Sequence, residues 1–311
     1  MSQKPVLNNM VQYSVWPNCC NNCQFCLRLD RDTWSKSKML SRINDIRINI
    51  DTVDWKNKFS NGISLLGGEI YFINDIDIQN EFMLLIDDII NKILKASPNP
   101  DVKYSTVTNG LYSPEFLFKV LDKIVEECGT KVLDINFSYD LKYRYSSEER
   151  RQLCIDNINK VHNRYNYIVG VQTITTQYFI DEVLSGRFDI KYFEDNVIPG
   201  NELHLLYPHP INPKLPPLPD FQFKRKSLID FSLYLKKNLD KQWHNFYWST
   251  YNSGIFKYTG IWDINKDNLQ EPVLSDGKEL INSKCGHSKL YQCYSDSDKC
   301  MLCDLLNIGI L

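Results

Sequence analysis

Eight of the ten cysteines in this chain fall in two tight groups, and grouped thiols at short spacing carry the most constrained chemistry in the sequence. The first group is Cys19, Cys20, Cys23 and Cys26 in WPNCCNNCQFCLR. Read as Cys19, Cys23 and Cys26 it has the spacing C-x3-C-x2-C, and three thiolates can hold a [4Fe-4S] cubane while leaving its fourth iron open to another ligand. Read as Cys20, Cys23 and Cys26 it is C-x2-C-x2-C, the start of a ferredoxin-like run. That run would need a fourth cysteine a few residues later and usually a proline after it, and neither follows. A structural zinc site is the remaining reading. The second group, Cys285, Cys293, Cys300 and Cys303, is spaced C-x7-C-x6-C-x2-C. Four thiolates saturate a metal centre, which suits a closed site holding either a second [4Fe-4S] cluster or zinc, with His287 as an alternative ligand. Clustering of this kind points to metal sites in a reducing compartment rather than to a disulfide framework. Cys128 and Cys154 stand apart in helical patterns among apolar neighbours and read as core residues.

Thiolates do useful chemistry only where a scaffold presents them. Short apolar runs alternate with helical periodicity through the first three quarters of the chain, the mark of repeated β-α units and a parallel sheet. Strands are predicted at 12–16, 63–66, 103–108, 132–139, 167–174 and 202–207, and helices at 40–59, 80–96, 114–128, 147–162, 177–184 and 226–239. The fold class expected is α/β: a partial (β/α)6 TIM-like barrel over residues 1–220, followed by a small Cys-rich C-terminal subdomain, 221–311, with a four-cysteine metal site. The first cysteine group then follows the first strand, at the carboxyl edge where such barrels carry their active face. Alternation along the fourth strand puts Asn136, Ser138 and Asp140 on one side, toward the barrel interior, and Ile135, Phe137 and Tyr139 on the other, toward the helices. The same alternation turns Gln172 and His204 inward from strands five and six, although a lone histidine is also an ordinary core group. The six prolines between Pro208 and Pro219 exclude helix or central strand there and read as an extended connector over the barrel mouth. An aromatic stretch at 243–262 reads as the core of the small subdomain.

The first cysteine group resembles the signature of the radical S-adenosylmethionine (radical SAM) superfamily, which has this spacing and an aromatic residue just before the last cysteine, here Phe25. Gly67, Gly68 and Glu69 in SLLGGEI, after the second predicted strand, resemble the GGE element of the same superfamily. The resemblance implies an enzyme in which the open iron of the cluster chelates the methionine end of S-adenosylmethionine. Reductive cleavage then gives a 5′-deoxyadenosyl radical that abstracts hydrogen. It further implies an electron donor such as flavodoxin or ferredoxin. Among cofactor-binding residues it places Glu69 against the methionine ammonium, and Ser138 and Asp140 against the ribose and methionine carboxylate. Gln172 and His204 fall near the adenine. Thr108, Asn109 and Gly110 resemble the TNG turn of these proteins, a sequence that equally makes an ordinary turn. The leading substrate class is a small molecule, nucleotide or modified base that undergoes rearrangement or oxidation. The second cysteine group resembles SPASM or Twitch extensions, which makes a peptide-modifying maturase the alternative. No leader-binding element is recognised in the N-terminal residues before the first strand. A non-catalytic iron-sulfur or zinc protein is the reading from a different class.

Bulk properties set outer limits on these readings. The chain has 311 residues, with 36 basic and 38 acidic side chains and a formal net charge of -2, so no overall field draws it to nucleic acid or anionic membrane. Lys224, Arg225 and Lys226 form a local basic run that reads as a solvated helix start. Neither a secretory signal nor an apolar run of membrane-spanning length is found, and the expected location is cytoplasmic.

Overall fold

The computed structural model describes residues 10–21, 23, 33–53, 55–56, 61–206, 224–239 and 241–242. Six parallel strands form one sheet in the order β1-β2-β3-β4-β5-β6: β1 (Val11–Ser14), β2 (Gly62–Leu66), β3 (Lys103–Thr108), β4 (Leu133–Tyr139), β5 (Gly170–Ile174) and β6 (Glu202–Leu206). Every neighbouring pair is parallel and every crossover passes through helical structure, so the sheet is a partial TIM-like barrel. The helices are α1 (Lys36–Thr52), α2 (Ile76–Ile89), α3 (Glu115–Cys128), α4 (Glu148–Tyr165), α5 (Gln177–Leu184), the short α6 (Ile190–Tyr192) and α7 (Arg225–Asn238). Single turns of π-helix, Ile90–Leu94 and Phe193–Val197, continue α2 and α6.

Capping chemistry decides where the helices begin. Ser35, Asp75, Ser147 and Thr176 each accept a backbone N–H in the first turn of α1, α2, α4 and α5. The first two start about a turn earlier than apolar periodicity alone predicts. α1 also stops before the predicted 59, with the Trp55 indole N–H donating to the Ile50 carbonyl at 2.8 Å. Gln177–Leu184 and Lys103–Thr108 coincide with the predicted helix and strand.

Strand register sorts the side chains into two sets. On the helix-covered face, Tyr13, Leu65, Thr106 and Ile135 form one row, and Thr108, Phe137, Val171 and Leu203 form the next. All of these are buried. The opposite face carries Ser64, Ser105 and Asp134 in one row, Asn136, Gly170 and Glu202 in a second, and Ser138, Gln172 and His204 in a third. The interior of the partial barrel is therefore polar, as the alternation in β4 predicts.

α7 closes against α5, with the Phe179 and Phe231 rings edge to face at 6.2 Å, and shares the single hydrophobic core of the barrel. Lys241 and Gln242 continue the attachment, the first pairing with Glu202 at 2.7 Å and the second donating to Glu194 at 2.6 Å. Residues 207–223 and 243–311, which include the proline-rich connector, the aromatic stretch and Cys285, Cys293, Cys300 and Cys303, lie outside the described residues. Among the described residues no helix is long and apolar enough to cross a membrane.

Candidate functional site

The loop after β1 carries Cys19, Cys20 and Cys23 to the carboxyl edge of the sheet, and its described residues are tied down at both ends. Arg42 of α1 donates to the Ser14 carbonyl at 2.8 Å, and Val15 N–H donates to Leu66 O at 2.7 Å. Trp16, fully buried with its ring 5.7 Å from Phe82, anchors the loop in the core. Asn18 exchanges hydrogen bonds with the Trp34 backbone at 2.9 and 3.2 Å, which closes the loop's far end. Phe25 and Cys26 lie outside the described residues.

Gly67, Gly68 and Glu69 lie directly beneath this loop. Gly68 N–H donates to Trp16 O and Glu69 N–H to Asn18 O, both at 2.8 Å. A Cβ at position 67 would fall 2.5 Å from Trp16 O, so only glycine lets the two strand ends approach this closely. The GGE backbone is thus part of the cysteine loop's foundation.

The Glu69 side chain is enclosed by the turn after β3. Its carboxylate is 1% exposed and accepts from Thr108 Oγ1 at 2.9 Å, Asn109 N–H at 2.6 Å and Tyr71 N–H at 3.4 Å. It is engaged by the turn after β3 rather than presented at the sheet edge. Thr108 in turn shares a hydrogen bond with the buried Tyr112 hydroxyl at 2.7 Å. Burial outweighs these donors and pushes the Glu69 carboxyl up to about 8 from its ordinary 4.5. The folded chain therefore binds more protons than the unfolded chain between those two values, and this group's contribution to stability is present below 4.5 and lost as pH rises through 8. Glu69→Gln, which cannot titrate, is expected to flatten the fall in urea midpoint between about pH 5 and about pH 8.5. An undiminished slope in that variant would place the titration elsewhere.

Asn109 occupies the centre of the β3 turn. Its side-chain oxygen accepts Leu111 N–H at 2.9 Å, which directs the amide nitrogen toward Cys19 Sγ at 3.6 Å and Cys20 Sγ at 3.5 Å. Gly110 completes the turn at φ +64°, where a Cβ would meet the Phe137 ring at 2.9 Å. Asn157 of α4 donates to the carbonyls of Gly110 and Tyr112 at 2.9 and 3.0 Å. The TNG sequence is thus both a turn and a contact to the cysteines.

The loop after β4 meets the cysteines from the other side. Asp140 is buried and its Oδ1 accepts the backbone N–H groups of Lys142, Tyr143 and Arg144, so it shapes this loop. These bonds make Asp140 a cap on its own turn, and burial raises its pKa. The loop delivers Arg144, whose guanidinium lies 3.8 Å from Cys23 Sγ, and α4 delivers Arg150, which donates to the Cys20 carbonyl at 3.2 Å. Asn21 bridges the two loops, donating to Arg144 O at 2.6 Å and Cys23 Sγ at 3.2 Å. Sequence reasoning did not single out Arg144, Arg150 or Asn21. Their position in loops at the carboxyl edge is the one signal that could have marked them.

Cys19 is exposed, Cys20 half-buried and Cys23 buried. The Cys20 thiol is held well above the ordinary thiol range, first by its hydrogen bond with Cys19 and then by burial. Around Cys23 lie the Arg144 guanidinium and the Asn21 amide donor. Among the described residues no three metal-ligating side chains converge, Cys26 of the triad lying outside them. Soft sulfur donors addressed by N–H groups fit an iron-sulfur cluster and would not suit a hard cation.

Deeper in the barrel, Ser138, Gln172 and His204 stand in one register row, each half-buried. Glu202 completes this region, with one carboxylate oxygen 3.5 Å from His204 Nε2 and the other 2.7 Å from Lys241 Nζ.

No family model matches the chain, and no curated protein matches it. Solved structures do align. Streptococcus suis SuiB superposes with a TM-score of 0.49 at 13% identity, over 76% of this chain and 47% of that one. SuiB bound to its precursor peptide SuiA gives 0.47 at 14% identity, with the same coverages. Native anSMEcpe with bound AdoMet gives 0.49 at 14% identity, over 79% of this chain and 66% of that one. The chain thus spans about half the length of SuiB.

Proposed function

We propose that the chain is a radical SAM enzyme that abstracts hydrogen from a polar small molecule, nucleotide or modified base. One observation carries the reading. The segment that carries Cys19 and Cys23 follows the carboxyl end of β1, Trp16 and Asn18 within it are bonded to Gly68 and Glu69 at the end of β2, and both open onto a partial barrel with a polar inner face.

Cys19, Cys23 and Cys26, in the C-x3-C-x2-C spacing, would hold the [4Fe-4S] cluster, and Cys20 would not. When bound, the cluster and S-adenosylmethionine supply the electron transfer and homolysis that give a 5′-deoxyadenosyl radical. The chain's own part is orientation and shelter. Arg144 and Asn21 hold Cys23 in a cationic, hydrogen-bonded setting, and Gly67 and Gly68 keep a bare backbone edge beside the cysteine loop. Ser138, Gln172 and His204 offer hydroxyl, amide and imidazole groups to the adenosine moiety and the substrate beside it. A row of such groups suits a substrate rich in hydroxyl or amine functions more than an apolar one. Electrons would come from a flavodoxin or ferredoxin. The C-terminal cysteines would close a second, fully ligated cluster.

The test is reductive cleavage. Anaerobically reconstituted protein, reduced with dithionite, is expected to convert S-adenosylmethionine to 5′-deoxyadenosine and methionine. Cluster-loaded protein that yields no 5′-deoxyadenosine would overturn the proposal.

A further inference from the structure

Each described cysteine sulfur of the loop is met by a nitrogen donor, and the one at Cys19 comes from a strand end ninety residues away in sequence. That donor is the side-chain amide of Asn109. It is buried at 5% exposure, and three contacts fix it: Asn109 N–H donates to Glu69 Oε2 at 2.6 Å, Asn109 Oδ1 accepts Leu111 N–H at 2.9 Å, and the following residue is pinned through Asn157. Oδ1 accepts Leu111 N–H and also lies 3.6 Å from Cys20 Sγ, so Cys20 sits against both ends of the amide. Nδ2 faces Cys19 at 3.6 Å and Cys20 at 3.5 Å.

We infer that Asn109 is a positioning residue that tunes the cluster through an N–H···S hydrogen bond to the ligand Cys19, with Glu69 acting on the site by holding Asn109 in place. This rests on the reading of the cysteine loop as a cluster site. Reduction of an iron-sulfur cluster adds negative charge that spreads onto its sulfurs, and an N–H donor there stabilises the reduced form. Asn109 therefore makes the cluster easier to reduce. The inference also accounts for a fully enclosed Glu69: its carboxylate serves the cluster through a backbone amide forty residues along the chain.

Two variants of the full chain separate this role from a purely structural one. Asn109→Asp is isosteric and keeps the acceptor for Leu111 N–H but removes the donor, while Asn109→Ala removes the donor without adding charge. Each is reconstituted anaerobically and titrated electrochemically, following the electron paramagnetic resonance signal that changes on adding S-adenosylmethionine. Both variants are expected to keep wild-type iron content and to shift that signal's midpoint potential to more negative values, Asn109→Asp further than Asn109→Ala. An unchanged potential in both would overturn the inference. Loss of the cluster in both would also overturn it, because Asn109 would then be needed for the loop to form rather than to tune it. Failure of the wild-type protein to give any signal responsive to S-adenosylmethionine would refute instead the radical SAM reading on which the inference stands.

Discussion

Replacing Cys19, Cys23 or Cys26 by alanine is expected to abolish 5′-deoxyadenosine formation, while Cys20→Ala leaves it largely intact. Four cysteines within eight positions offer two registers, and spacing alone does not choose between them. The C-x3-C-x2-C resemblance favours Cys19, and Cys20 is half-buried. Cys19 is exposed at the sheet edge, where a cluster can reach it, and Cys23 lies 3.8 Å from the Arg144 guanidinium. Loss of any one ligand of three leaves two thiolates, too few to retain the cubane with one open iron. The measurement is 5′-deoxyadenosine by chromatography, alongside iron and sulfide content for each variant. Full activity in Cys19→Ala together with loss in Cys20→Ala would reverse the register.

The parts of this site that were legible in the sequence are those set by local rules. Period-two alternation in β4 placed Ile135 and Phe137 against the helices and Asn136 and Ser138 inside, and the parallel register carries the same phase to Gln172 and His204. Glycine at position 67 stands in the GGE element, and the structure shows the backbone it must admit, Trp16 O, 2.5 Å from where a Cβ would fall. Helix starts were less legible, because Ser35 and Asp75 cap turns that begin before the first apolar residue of each stripe. Least legible were the pairings made across the sheet edge. Residue type identified Glu69 as an acceptor, but its donors come from Thr108 and Asn109 on another strand, and only folding brings them within 3 Å. Asp140 is the converse case: a polar residue at a strand end reads as a ligand contact, yet its nearest donors are the amides of its own turn. Arg144 could not be ranked above the other basic residues until that turn was seen to aim it at Cys23.

Anaerobically reconstituted protein is expected to carry close to eight irons per chain, and removing Cys300 and Cys303 together should lower this by about half. The reasoning is ligand arithmetic on the sequence. Three thiolates of the β1 loop suffice for a cluster that must leave one iron open, and the four near the C-terminus can close another cubane with no open position. α7 and the Lys241–Glu202 pair fasten the chain to the barrel immediately before the segment that carries these cysteines. In the double variant the remaining cluster should keep its spectroscopic response to S-adenosylmethionine, because its ligands and their partners Asn21, Asn109 and Arg144 all belong to the barrel. A tetrahedral zinc site would satisfy the same four thiolates, and it predicts a different composition. Native protein with roughly four irons and one zinc, losing only the zinc when Cys300 and Cys303 are removed, would make the segment a structural clasp whose metal contributes to folding rather than to electron transfer.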